Sequence, residues 1–477
     1  MRNRKKSHPL SLEIAIFILT QITDQQYLTP YKGMVKVRVI SERAQRFGGL
    51  NLVFHSKEYE KILELCDKEL GVRSSTGGGY SYSEVINALF LSVLSGGTCV
   101  EDINLLVPEL SQSPYIKAPS ADSVLRTLKK LSVEDELVKA RGSGINYAFN
   151  RNSKLNELLV KGTIEIGLLE RGKACDFDYD NQIIRTRKRD SAWTYKKDVM
   201  GYAPGIAFAN GHPISIEGRG GNAPVIFDQA RTLRLAYEAL LKEGVKVKRS
   251  RMDAGSYSRE VISVVEEYSD LFYIRAIDTP YHRSLVEEST SGWKLLRLRG
   301  STGGMREVEA RSVMADEFIR GRSYRVVLYR YNDGWAEDTM FSDDKEMKYR
   351  YFSIITNDWK SSEEEIIRYY NKRGSIERVF DQMNNDFNWA HLPSSDMNQN
   401  TVFMLLTALL RNFYTKYVSE VSKRSGRLIS SKARLKKFIH HFVTCPARWV
   451  KSRTGDVLQL FGATALQRWY VKQMYDW

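Results

Sequence analysis

A mixed α/β fold, preceded by a helical region and followed by a basic helical one, is predicted by three observations. Residues 173–219 alternate apolar and polar positions as strands do, and Asn210-Gly211 sits between two apolar runs, a strong hairpin signal. Residues 227–276 then switch between helical and strand periods, giving helix, strand, helix, strand. Residues 279–348 lose the helical signals and read as short strands broken by Gly and Asp-Gly turns.

Residues 1–33 differ in character from the rest of the chain, and Met34 opens a strand-like MVKVRVI, so either Met1 or Met34 can start the natural protein. The glycine-rich STGGGYS ends at Ser81 and separates a leader and linker (1–81) from a helical region at 82–170. There PSADSVLRTLKKL places Val124, Leu125, Leu128 and Leu131 on one helical face and Ser123, Arg126, Thr127 and Lys130 on the other. Such a helix after a short break suits the recognition helix of a helix-turn-helix. An ordinary amphipathic helix with a solvated basic face is the alternative.

The core begins at 171–278. ACDFDYDNQII supplies a first strand and GYAPGIAFANGHPISIEG the next two; an amphipathic helix at 227–243, the strand VKVKRSRMD, a helix at 258–268 and the strand LFYIRA come next. A three-stranded meander followed by βαβ connections is the order of an RNase-H-like mixed sheet. KLLRLRG, REVEARSV and YRVVLYRY make 279–348 a β-rich insertion, and the core resumes at 349–413 with YRYFSIITN and a long helix. Ser361 or Ser362 caps that helix, with Glu364 or Glu365 completing a capping box. Residues 414–477 are a basic C-terminal region, with eleven Lys/Arg against Glu420 alone between Tyr414 and Arg453.

A chain of 477 residues, 42% hydrophobic, suits about two to four domains and buries a core without disulfide or metal staples. Its 72 Lys/Arg exceed 57 Asp/Glu by 15, which points to an anionic polymer as partner, a bias shared with ribosomal proteins, nucleases and membrane-surface proteins. Four cysteines lie far apart without a CxxC pair, and seven histidines form no ligand array. That argues against a structural zinc and suits a reducing cytoplasm. The apolar runs at 14–19 and 402–410 are too short to span a bilayer, and no small-residue cleavage site comes after the basic MRNRKK, so neither membrane insertion nor export is expected.

Chemistry is carried by acids. Asp176, Asp178 and Asp180 alternate with Phe177 and Tyr179 and so share one face of a strand. Three carboxylates there repel unless a cation or solvent receives them; a partly exposed edge strand is the other explanation. Asp253 ends VKVKRSRMD, at the carboxyl end of a strand, where open α/β sheets bind ligands. Capping the following helix is its competing role. In an RNase-H-like order the strands of Asp180 and Asp253 are neighbours. In YYNKRGSIERVFDQMNN, Tyr370, Arg373 and Glu377 are spaced three then four and share a helical face, an arrangement a plain surface ion pair also satisfies. Gly374 within that turn costs about 1 kcal/mol relative to Ala, which suggests that something approaches the helix closely there.

DYDN on one strand, RMDAGSYS after a second and Y-x2-R-x3-E on a late helix together resemble the DDE transposases of bacterial insertion sequences. TYKKDVMGYAP, IEGRGGNAP, ERVFDQMNNDFNW and LLTALLRNFY strengthen the likeness, which runs from about Met34 to the C-terminus and is strongest from Asp178 to Tyr414. The resemblance implies an RNase-H-like core with a β insertion between the second Asp and the Glu. It implies Asp180, Asp253 and Glu377 as catalytic acids and ligands of two Mg²⁺ (or Mn²⁺) ions per active site. Asp178 competes with Asp180 for the first place; Asp180 is preferred because a short polar step and then an apolar run come after it. Tyr370 and Arg373 fall on the family's phosphate-holding pair. Where the family signature has a Lys, seven residues after Glu377, this chain has Asn384.

Metal-dependent cleavage of DNA ends and their joining to target DNA is the implied activity. The partners are terminal inverted repeats and target DNA, Arg126 and Lys130 are the candidate DNA contacts of the N-terminal region, and a homodimer is expected in the active complex. A bacterial, nucleoid-associated, cytoplasmic protein fits this set. A nuclease that cuts without joining, and a DNA-binding relic without chemistry, are the rival readings. Trp293 and Trp335 of the insertion either fill the core of a small β layer or, for Trp335 above all, stand ready to hold an extruded base.

Overall fold

The computed structural model describes residues 44–474 apart from 75–78, 141, 143, 195–198, 278–279, 288–290, 300–303 and 336–346. Met34, MVKVRVI and most of the glycine-rich spacer lie outside the described residues. The first helices are α1 (Gly49–Phe54), α2 (Lys57–Leu70), α3 (Tyr82–Leu94), α4 (Ile103–Leu110) and α5 (Ala121–Leu131). In α2, Tyr59, Ile62, Cys66 and Leu70 recur at helical spacing and are all buried in the same apolar cluster as α3. Residues 49–70 therefore belong to the core, whereas the sequence reads as a leader there, because the apolar stripe is hidden among charged residues. Ser81 and Glu84 start α3 with a reciprocal capping box.

On α5 the structure departs from the simple two-face reading. Val124 and Leu128 are buried, but so are Ser123 and Thr127, and Thr127 returns its hydroxyl to the Ser123 carbonyl at 2.8 Å. Small hydroxylated side chains that bond their own helix can enter the core without unpaired polar atoms. Arg126, Lys129 and Lys130 make up the basic edge of this helix.

After β1 (Glu136–Lys139), β2 (Asn146–Asn150) and α6 (Ser153–Glu165), the chain lays down β3 (Ala174–Asn181), then the short β4 (Ile184–Arg185), β5 (Ala192–Trp193) and β6 (Met200–Tyr202), then β7 (Gly205–Ala209) and β8 (His212–Arg219). The β7–β8 turn holds Asn210 at φ 50° and Gly211 at φ 78°, the left-handed pair that a tight hairpin requires. Next come α7 (Gln229–Lys242), β9 (Lys246–Met252), α8 (Arg259–Tyr268), β10 (Ser269–Arg275) and α9 (Pro280–Glu287), a helix in a stretch where the sequence shows no helical signal. β11 (Lys294–Arg299), β12 (Met305–Ile319), β13 (Arg322–Trp335) and β14 (Met347–Thr356) complete the strands of the main sheet.

Among the described residues, the main sheet runs β1-β2-β8-β7-β3-β9-β10-β14-β13-β12-β11. β3, β9 and β10 are parallel neighbours and the flanking pairs antiparallel, so the sheet is mixed. The insertion strands join this sheet through β14 instead of forming a layer of their own. Trp293 is half-buried there, with the Arg330 guanidinium 4.4 Å from its ring and Tyr351 edge-on at 6.4 Å, which is a packing role. The indole of Trp335 lies outside the described side chains.

Alternation sorts the sheet's faces. Ile206, Phe208 and Ile216 point to the N-terminal helices, while Phe177, Tyr179, Ala207 and Ala209 point to α7 and α8. The remaining helices are α10 (Glu363–Asn371), α11 (Ser375–Asp386), α12 (Met397–Arg424), α13 (Leu435–Phe438) and α14 (Ala465–Met474), with β15 (Ala447–Ser452) and β16 (Gly455–Leu460) forming a hairpin between the last two. α12 runs unbroken across residues 413 and 414. Tyr414, Tyr417, Phe438, Phe442 and Tyr470 enter the core cluster shared with α2 and α3, while Lys432, Arg434, Lys436 and Lys437 stay exposed. No helix among the described residues is long and apolar enough to cross a membrane.

Candidate active site

β3 is a central strand, flanked by β7 and β9, so the acids on it are not explained by an exposed edge. Its parallel partner β9 carries Arg249 and Arg251, and the register sets Asp176 beside Arg249 and Asp178 beside Arg251. Both are two-pronged pairs: Arg249 donates to Asp176 at 2.8 and 2.9 Å, and Arg251 donates to Asp178 at 2.7 and 2.8 Å. The ring of Tyr369, near the end of α10, takes both guanidinium groups at 4.1 and 4.5 Å, and Arg251 Nη1 also donates to the Tyr369 carbonyl at 2.9 Å. Two Asp–Arg rungs thus rivet β3, β9 and α10 together.

One residue beyond the last pair of the two strands, Tyr179 with Met252, stand Asp180, still on β3, and Asp253, just past the end of β9. Here two carboxylates come together with no strand arginine. Arg373, reaching in from the turn after α10, donates to Asp180 Oδ2 at 2.8 Å, and its charge also acts on Asp253. Asp180 accepts the Asn181 backbone N–H at 2.9 Å, and Asp253 Oδ1 accepts that of Gly255 at 2.9 Å, capping the 3₁₀ turn Ala254–Ser256; the following helix α8 is capped by Ser258 and not by Asp253. Burial pushes the Asp180 carboxyl above its ordinary value, Arg373 opposes this, and Asp253 adds to the rise. For Arg373, burial works against the charge, but Asp180 foremost, with Tyr370 and Asp253, holds the guanidinium above its usual range.

The helix expected to carry Tyr370, Arg373 and Glu377 on one face is interrupted. Lys372–Gly374 form a 3₁₀ turn between α10 and α11, and a Cβ on Gly374 would meet nothing within 4 Å. No close approach explains that glycine; the tighter winding of the turn, about three residues per turn, fans the three side chains apart. Tyr370 is 6% exposed and packs in the core with Tyr273 and Tyr329, Arg373 is half-buried on Asp180, and Glu377 is exposed. The structure brings together Asp180, Asp253 and Arg373; Glu377 makes no hydrogen bond or ion pair among the described residues. Arg126 and Lys130 sit apart on α5, where Lys130 donates to the Arg73 carbonyl.

Two carboxylates at one rung are hard oxygen donors, a set that suits Mg²⁺, which takes few protein ligands and keeps several waters. The donor chemistry fits such an ion. Among the described residues no group of three or more His, Cys, Asp or Glu is drawn close enough to hold a metal, since Glu377 stands outside the pair. Sequence reasoning missed Arg249, Arg251 and Tyr369. The signal was present in part, as charges at alternate positions of VKVKRSRMD.

A family model described as a transposase DDE domain matches residues 171–413. Among solved structures, the chain is similar to a piggyBac transposase synaptic complex with hairpin DNA, at 12% identity and a TM-score of 0.44, over 83% of this chain and 79% of that one. It is also similar to a Drosophila P element transposase strand transfer complex, at 12% identity and a TM-score of 0.21, over 52% of each chain. No curated protein matches the sequence.

Proposed function

The chain belongs to the transposase DDE-domain family, and from that premise we propose that it binds the ends of a mobile DNA element, cleaves them and joins them to target DNA. The single observation that carries this reading is the cluster at the end of the β3–β9 pair, where Asp180 and Asp253 act on one another and Arg373 bonds Asp180 while its charge is felt by both. Asp180, Asp253 and Glu377 are the proposed catalytic acids. Asp180 is preferred over Asp178 because Asp178 is buried and fully engaged by Arg251, whereas Asp180 has only one oxygen on Arg373. The core that carries them is proposed to be RNase-H-like.

Phosphodiester cleavage and joining both need an oxygen nucleophile to displace a 3′ oxygen in line at phosphorus. Two Mg²⁺ or Mn²⁺ ions, held by these acids, would supply activation of the attacking oxygen and charge stabilisation at the leaving one. The chain's own contribution is placement. The Asp–Arg rungs fix the strand pair so that Asp180 and Asp253 converge, and the α10–α11 turn delivers Arg373 to the same point. Arg373 is suited to a DNA phosphate once one is present, since a guanidinium forks onto phosphate as it does onto carboxylate. Glu377, exposed one turn beyond, completes the acid set when the bound end draws α11 inward. Arg126 and Lys130 are proposed to hold DNA backbone. Two identical ends suit two identical subunits, so the active complex is proposed to be a homodimer.

The test uses end-labelled DNA carrying the inverted repeats that flank the reading frame, incubated with the protein and Mg²⁺ or Mn²⁺. Strand-transfer product with the wild type, and none with Asp180→Asn, is the expected result. Cleavage without joining would replace this reading by a nuclease, and binding without either would leave a DNA-binding relic.

A further inference from the structure

The motif IEGRGGNAP runs from the end of β8 into the loop before α7, and no step of the proposed chemistry uses it. Its arginine, Arg219, is 0% exposed, a burial that a guanidinium tolerates only when its donors are taken up. Nε lies 3.0 Å from Glu217 Oε1, Nη1 donates to the Val225 carbonyl at 2.9 Å, and Nη2 donates to that of Phe227. The loop is therefore folded around a side chain of its own. Glu217 also pairs with Arg151 at 2.6 Å, and Arg151 reaches Asp228, at the far end of the loop, at 2.6 Å, so both ends are held. Asp228 stands at φ 54°, in the left-handed region, which a non-glycine residue keeps only where its surroundings compel it.

The same segment grips the turn that begins at Asp253. Val225 covers Gly255: a Cβ there would lie 3.2 Å from Val225 Cγ1 and 3.1 Å from Asp253 Oδ1. Gly255 is the residue whose N–H bonds Asp253 Oδ1. One residue on, Ser256 Oγ accepts a hydrogen bond from Gln229 Nε2 at 2.7 Å, and both side chains are fully buried. Gln229 opens α7 directly after Asp228. Two successive residues of the Asp253 turn are thus fixed by one stretch of chain, 219–229. With Oδ1 on the Gly255 N–H, the place of that turn sets where Oδ2 points.

We propose that segment 219–229 is the mount of Asp253: Arg219 and Gln229 are positioning residues that hold the turn Ala254–Ser256, and through it the carboxylate, in place for the divalent cation that Asp253 and Asp180 would share. This rests on the transposase reading and extends it to residues that touch neither acid. Loss of the groups that orient metal ligands costs about 10–100-fold in metal affinity. Gln229 acts one step farther out, through the turn, so the low end of that range applies.

The experiment measures Mn²⁺ binding, by loss of the free-ion paramagnetic resonance signal, to the full chain bound to a duplex that ends at the inverted repeat, as the cut product does. Site-specific binding is the part that Asp253→Asn abolishes. Gln229→Met keeps the bulk and removes the donor, while Ser256→Ala removes the acceptor. Each is expected to weaken site-specific Mn²⁺ binding about tenfold, and to raise the Mn²⁺ needed for half-maximal cleavage by the same factor, with affinity for the duplex unchanged. The double variant should be no weaker than the worse single one, because both changes remove the same bond. Should Gln229→Met fail to fold, Val225→Ala, which uncovers Gly255 without breaking a polar bond, is read in the same way. Variants that lose urea stability yet bind Mn²⁺ as the wild type does overturn the proposal, and so does a double variant in which the losses add. A wild type that binds Mn²⁺ no better than Asp253→Asn sinks the metal-dependent reading itself, and this inference with it.

Discussion

The lower and upper parts of the β3–β9 ladder use the same residue type on the same face, yet they do opposite things. At the lower rungs Asp176 and Asp178 meet Arg249 and Arg251 from the neighbouring strand, and the charges are neutralised within the sheet. At the upper rung Asp180 meets Asp253, and the cation must come from outside the sheet, here from Arg373. A carboxylate whose partner is built into the adjacent strand is structural. One that meets a second carboxylate at the end of the strand pair is left open to an external cation, and that difference separates the scaffold from the proposed site.

The contrast breaks most sharply on activity. Asp180→Asn and Asp253→Asn should each lower cleavage and joining by at least about a hundredfold, the scale on which loss of a preorganised charge acts, while binding of the labelled end is retained. Product gels alongside a mobility-shift assay read both quantities. If Asp180→Asn kept its activity while a folded Asp178→Asn lost it, the division between rungs would be inverted.

Stability should divide the other way. Asp178→Asn leaves the Arg251 guanidinium buried without its carboxylate, and breaking such a buried pair costs about 3–5 kcal/mol. Urea unfolding of Asp178→Asn and Asp180→Asn measures it; equal midpoints would mean that the lower rung is no more structural than the upper.

A pH series sharpens the comparison. Burial raises the Asp180 carboxyl, so its contribution to stability is fully present below the ordinary carboxyl value of about 4 and is lost as pH rises through the raised one. Asp180→Asn, which cannot ionise, should therefore gain stability relative to wild type as pH climbs through that window. Melting temperatures of the two proteins side by side test the sign, and a constant difference would show that Arg373 fully offsets the burial.

The smallest effect is expected at Glu377. It is exposed and unengaged among the described residues, so Glu377→Gln should change unfolding free energy by no more than about 0.5 kcal/mol. The same variant should nevertheless lose joining activity. Full activity would remove Glu377 from the acid set and leave the site to Asp180 and Asp253.

By itself, the sequence determined the order of the main-sheet strands and their helices from Lys173 to Ala276, though not the small β4–β6 sheet between the first two strands, together with the hairpin at Asn210-Gly211 and the placing of Asp176, Asp178 and Asp180 on one face, because period and turn chemistry are local properties. The neighbouring of the Asp180 and Asp253 strands came out of that order, and the structure makes them parallel partners. It could not supply what faces those acids. Strict alternation in VKVKRSRMD puts Val247 on the face of Arg249, Arg251 and Asp253. In the structure the register slips between Cys175 and Asp176, one extra residue on β9 is left unmatched at Lys248, and Val247 stays with the apolar face while Arg249 and Arg251 turn to the acids. The 3₁₀ turn at Lys372–Gly374 acted in the same way on the late helix, sending Tyr370 into the core and Arg373 onto Asp180 where a regular helix would have kept them in line with Glu377. A bulge and a change of helical winding are each settled by packing against another part of the chain, and a one-residue shift reassigns every side chain beyond it, so only the tertiary structure decided which charges meet.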